Sequence, residues 1–199
     1  MLVSLPLAAL LLGWAALAGL HRGGHRAFAA GRWSAARRRY RVIAAVAPGR
    51  RRRQAARLSL AACQLAAGDH AGGFAALTRL AGLATEPTTR AVWLGNRAYA
   101  ALRCPALGIE PLVALAWVEE ALAARPGVPA LLHTRAIGLA AVGRADESLA
   151  VLDGLSAVDD RWPALGAERC HDLAAAWDAR GHAAYAADYR ARAARLAGG

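Results

Sequence analysis

The sequence has no lysine, only three cysteines and only two phenylalanines among its 199 residues. Cys63, Cys104 and Cys170 are far apart and odd in number, which argues against a complete disulfide framework. No C-x-x-C pair or Cys/His ligand spacing is present to hold zinc, so no metal is expected. Cys63 and Cys170 fall inside expected helices and read as small buried hydrophobes. Alternating apolar runs bounded by turn residues are also missing, so nothing reads as a strand. What fills the chain instead is alanine, the main contributor to a hydrophobic share of 57%. Alanine is the best helix former and lets helices pack closely, which points to an all-α chain.

Acidic residues are absent until Asp69, and twelve Arg precede it. Beyond that point 13 Arg face 14 Asp and Glu, so the net charge of +11 belongs to one segment. An excess confined in this way implies a local anionic neighbour, lipid headgroups first and nucleic acid second.

Pro48, Pro87, Pro126 and Pro163 fall 39, 39 and 37 residues apart. Gly31, Gly68, Gly108, Gly143 and Gly181 run between them at gaps of 37, 40, 35 and 38. Two breaker residues marching at one period indicate a repeated unit. A period near 40 suits two antiparallel helices, with Gly in the turn inside each pair and Pro ending the second helix. The expectation is a right-handed solenoid of α-hairpins.

Met1 to Leu20 carry no charged side chain, and His21-Arg22 follow. Twenty helical residues at about 1.5 Å each span roughly 30 Å, the hydrocarbon thickness of a bilayer. A retained transmembrane anchor and a signal peptide cut after Ala16-Leu17-Ala18 both fit that run. The positive charge follows the apolar stretch instead of preceding it, which favours the anchor with the body on the cytoplasmic side. The sequence thus predicts an anchor over residues 1–22 in an inner membrane and a helical body over 23–199. The alternative is a periplasmic or secreted body after cleavage.

Along the body, Trp33, Ala36, Tyr40, Ile43 and Val46 recur at gaps of three and four, an apolar stripe running up to Pro48. A stunted leading helix, roughly His25 to Ala30, is expected to emerge from a break at Gly23-Gly24. Phe74, Leu77, Leu80 and Leu83 mark the return helix of the second hairpin, and Leu149, Leu152, Leu155 and Val158 that of the fourth. Gly31-Arg32-Trp33, Ala36, Tyr40, Ile43 and Pro48 resemble the second helix of a tetratricopeptide repeat (TPR). Gly143-Arg144-Ala145 through Leu149 resembles the same turn and helix start, and Trp93-Leu94-Gly95 with Tyr99 is similar to the leading helix. The likeness covers about four and a half units, and the related Sel1-like class, with its longer loops, fits the third unit as well. It implies a concave groove that takes a protein or peptide, and scaffold or adaptor work.

Candidate sites are sparse. Arg22, Arg26, Arg37, Arg38, Arg50, Arg51, Arg52 and Arg53 are the expected contacts to anionic lipid, the last four at a helix start where cations oppose the macrodipole. Asn96 and Arg97 are the expected groove residues, one Asn being far short of a carboxylate clamp. His21 and His25, four apart, read as an interfacial pair beside headgroups. His171-Asp172 reads as a solvated helix face. Adjacent Glu119-Glu120 and Asp159-Asp160 diverge by about 100° on a helix and cannot share a proton. Gly23-Gly24 and Gly72-Gly73 lack the context of a phosphate loop. No catalytic constellation or cofactor site emerges, and a nucleic-acid-binding helical repeat is the remaining alternative function.

Overall fold

The structure is a computed structural model that describes residues 4–198, with side chains from residue 12 onward except at residue 83. Met1 to Val3, Pro6 and Leu83, on which the sequence reading drew, therefore lie wholly or in their side chains outside the described residues. Eleven α-helices are described: α1 (Ser4–Ala29), α2 (Trp33–Val46), α3 (Arg50–Ala66), α4 (His70–Thr78), α5 (Pro87–Arg103), α6 (Pro111–Ala124), α7 (Pro129–Ala141), α8 (Ala145–Asp153), α9 (Val158–Arg161), α10 (Pro163–Ala179) and α11 (Ala183–Gly198). They pack as successive pairs, α1 with α2, α3 with α4, α5 with α6, α7 with α8 and α10 with α11.

The glycines mark the turns inside these pairs, as their spacing predicted. Gly31 (φ 71°) and Gly181 (φ 77°) open and close the series in the left-handed region that a side chain resists. The prolines divide into two roles. Pro48 and Pro126 follow α2 and α6, whereas Pro87 and Pro163 open α5 and α10. A proline at the first helical position loses no hydrogen bond, because its N–H would have been unpaired there. That placement also explains how Trp162 can sit directly before Pro163, as one residue caps α9 and the other starts α10.

The expected anchor is corrected here. Among the described residues no helix is long and apolar enough to cross a membrane. The single-pass placement at an inner membrane falls with it. Instead of breaking at Gly23-Gly24, α1 runs unbroken to Ala29 and supplies the leading helix of the first pair. A Cβ on Gly24 would stand 3.0 Å from the Tyr40 ring, and one on Gly23 3.0 Å from Arg39 Nε. These two glycines let α2 approach closely; they are not a hinge. Leu17, Leu20 and Phe28 pack against the cluster of Ala27, Ala36, Tyr40, Ile43 and Cys63. Part of the apolar run thus belongs to the first repeat's core. A length count cannot separate a membrane span from a long first helix.

Among the described residues the core is divided into clusters. One cluster joins α1 to α3, a second runs from Leu58 to Leu139, and a third holds Ala136, Leu152 and Leu173. This nearest-neighbour burial is what a stack of hairpins produces. Two departures break its regularity. The second helix of the fourth pair stops at Asp153, and the short α9 intervenes before α10. The start of α10 also returns to the beginning of the chain, where a Cβ on Gly31 would lie 3.7 Å from Ala164 Cβ.

Candidate interaction surfaces

The twelve Arg before Asp69 sit on α1, α2, α3 and the turns between them, at one end of the stack. Among the described residues only Arg51 meets a carboxylate, Glu86, at 3.7 Å. Of the 13 later Arg, eight are ion-paired: Arg90, Arg103, Arg135, Arg144, Arg169, Arg180, Arg190 and Arg192. The two ends of the chain therefore handle the same residue in opposite ways.

The eight expected anion contacts gather at that end but do not behave alike. Arg52 lies 3.7 Å over the ring of Trp14, a residue within the expected anchor segment 1–22. Arg53 donates to the Ala47 carbonyl at 3.0 Å. Arg22, Arg26, Arg37, Arg38 and Arg50 are exposed and meet no carboxylate among the described residues. Arg50 and Arg51 also line a cleft of about 430 Å³ with Gln54, Gly82, Thr85, Glu86 and Thr89, between the starts of α3 and α5. Glu86 caps α5 there, accepting from Thr89 Oγ1 at 2.8 Å and from the Thr89 and Thr88 amides. Those bonds, Thr89's hydroxyl first, hold its carboxyl down to about 2.

Of the two expected groove residues, Asn96 is half-buried on α5, and Arg97 has a defined setting. On a helix Arg97 points roughly 200° away from Tyr99, the residue that faces α10. The Arg97 guanidinium lies 4.2 Å from the Trp117 ring, 4.6 Å from Trp93 and 5.2 Å from Phe74, between α4 and α6. Its Nε is buried without a partner, and burial lowers its pKa. Trp93 is fixed beneath it by donating to the Leu77 carbonyl at 2.7 Å.

The side where α5, α7 and α10 converge is filled by the chain itself. Tyr99 donates to Glu168 at 3.0 Å, Arg103 grips both oxygens of Asp172, and His133 Nε2 stands 2.9 Å from Asp172 Oδ2. Burial alone would raise the Asp172 carboxyl, but the bonds from His133 and Arg103 outweigh it and hold it below the usual range. Spacing alone missed this hub, since Asp172 read as half of a solvated pair. His171 is exposed, while Asp172 turns inward. His133 is only 1% exposed, and the carboxylate it shares with Arg103 joins α5, α7 and α10.

The other candidates resolve simply. His21 and His25 are exposed, stack edge-on at 4.4 Å and flank Tyr40 in the first repeat. Burial, then the neighbouring His21, lowers the His25 pKa. Glu119 and Glu120 diverge to Arg135 and Arg90, and Asp159 turns inward to Arg169 while Asp160 is exposed. Gly72 lies under the Asp69 carboxylate, which accepts from its amide at 2.9 Å and caps α4. Cys63 and Cys170 are buried thiols, and burial pushes Cys63 up to about 11. Among the described residues no three His, Cys, Asp or Glu side chains gather as metal ligands.

Comparison with known proteins bears on the fold. The chain superposes on a thermophilic TPR protein from Thermus thermophilus with a TM-score of 0.63 and 20% identity, over 91% of each chain. The fold is TPR-like. TPR-like repeats of a putative kinesin light chain from Podosopora anserina give a TM-score of 0.50 and 18% identity, over 90% of this chain and 93% of that one. No protein-family model matches the sequence, and no curated protein matches it. At these identities the likeness shows the fold alone.

Proposed function

We propose that this chain is a TPR-like interaction scaffold whose basic end, formed by α1, α2 and the start of α3, takes an acidic segment of a partner protein. The observation that carries this reading is the contrast in pairing. Among the described residues one of twelve early Arg has a carboxylate, against eight of thirteen later ones. Unpaired like charges on neighbouring helices repel, and an anionic partner relieves that repulsion. A protein partner suits the surface better than nucleic acid because few ring faces there are open to bases, Arg52 already covering one face of the half-exposed Trp14. Tyr40 is in the core and Trp33 packs edge-on against Phe28 at 5.0 Å.

The test is a titration of the full chain with polyglutamate, with a DNA duplex and with phosphatidylserine vesicles, each at low and raised salt. Polyglutamate should bind, weaken with salt and weaken further in an Arg37→Ser, Arg38→Ser, Arg50→Ser variant, while Arg195→Ser leaves binding unchanged. Binding of duplex or vesicles without binding of polyglutamate would overturn the reading.

A further inference from the structure

The interruption of the stack by α9 leaves a second surface. Because α8 ends early, it does not close against α11, and a cleft of about 400 Å³ opens between them. Leu149 and Ala150 of α8 form one wall, Tyr185 and Tyr189 of α11 the other, and Leu173 and Trp177 of α10 the floor. One charged group lines it, Asp153, the last residue of α8.

Three facts give this cleft a chemistry. Its aromatic rings are gathered, with Trp177 and Tyr185 centroids 5.2 Å apart and tilted by 53°. Ring faces with a carboxylate beside them attract organic cations. Asp153 meets no cation among the described residues, although Arg169 and Arg192 stand near the adjoining Tyr189 and Arg180 lies 5.9 Å from the Trp177 ring. Arg169 and Arg192 are held by Asp159 and Arg180 by Asp146. Finally, a carboxylate in a last helical turn faces the negative end of the helix dipole, so Asp153 is slightly unfavourable where it stands. An incoming positive charge would remove that cost.

We propose that this cleft receives an arginine or lysine side chain carried by a segment of a partner protein. The rings would stack on the cationic head and Asp153 would pair with it. The cleft is larger than one such head, and Leu149 and Leu173 provide room for the apolar neighbours of that side chain. A second copy of this chain is a poor occupant, because a net charge of +11 on each copy opposes their approach. The site is distinct from the basic end and selects the opposite charge.

The experiment follows the Trp177 indole N–H by NMR, assigned with a Trp177→Phe variant, while the full chain is titrated with acetyl-Leu-Arg-Leu-amide, its citrulline counterpart and argininamide. The arginine peptide should saturate the signal, with the neutral citrulline peptide and the Asp153→Asn variant each weaker by about tenfold, the scale of one desolvated cation–ring or ion-pair contact. Argininamide should bind more weakly than the arginine peptide. Asp153→Asn should melt no lower than the parent, so lost binding is not lost folding. Equal binding of the citrulline peptide, indifference to Asp153→Asn, argininamide binding as tightly as the peptide, or no binding at all would overturn the proposal. Failure here would leave the polyglutamate result standing.

Discussion

Arg103 and Asp172 lie 69 residues apart and form a two-point ion pair, Nη1 to Oδ1 at 2.9 Å and Nη2 to Oδ2 at 2.6 Å. His133 shares the same carboxylate, so one acid on α10 ties down α5 and α7 together. Removing it as Asp172→Ala leaves two half-buried or buried donors without an acceptor. The expected cost is about 3 kcal/mol, read as a shift in the urea midpoint without a change in slope.

Arg169 is 1% exposed and is answered by Asp159 at 3.1 and 2.8 Å and by the Leu152 carbonyl at 3.0 Å. Arg144 and Glu147 make an equally short pair on the surface, at 2.6 Å. Length does not set their worth. Asp159→Ala should cost about 3–5 kcal/mol because it strands a buried cation, whereas Glu147→Ala should cost less than about 1 kcal/mol. Comparable losses in chemical denaturation would contradict this assignment.

Gly24→Val tests whether the end of α1 is a repeat helix. The added carbons would press on the Tyr40 ring, which is buried in the first cluster and has nowhere to move. Overpacking of this kind costs about 1–3 kcal/mol. Gly13→Val is the control, since a Cβ at Gly13 meets nothing within 4 Å. Only the first variant should lower the melting temperature markedly.

Glu86 gives a pH dependence of defined sign. Its folded value of about 2 lies below its ordinary 4.5. A depressed acid binds fewer protons in the folded state, so its contribution is complete above about 4.5 and fades as pH falls through about 2. The gap in melting temperature between the parent chain and Glu86→Ala should narrow as pH is lowered from about 5 to about 2. A constant gap would show that the cap does not depend on its charge.

The parts of this fold that sequence revealed are those set by local backbone rules. Gly31, Gly68, Gly108, Gly143 and Gly181 were readable because a left-handed turn admits little else. The stripe through Ala36, Tyr40 and Ile43 was readable because a helix repeats its buried face, although Val46, assigned to the same stripe, is 61% exposed. The apolar run at the start of α1 misled, since apolarity and length describe a membrane span and a packed first helix equally. The Asp172 hub and the Asp153 cleft were unreadable for a different reason. Both depend on how far the stack curves and where α9 interrupts it, and neither is a property of any one helix. The basic stretch was visible at once, but its lack of internal partners needed coordinates.

The approach of Ala164 to the Gly31 turn has a consequence for how the molecule comes apart. An open row of repeats can fray inward from either tip, because its outermost units lean on one neighbour only. Here the opening turn rests against the fifth unit, so loosening either tip also strips support from the other. Removing α10 and α11 should therefore weaken protection of backbone amides in α1 and α2, at the far end of the sequence.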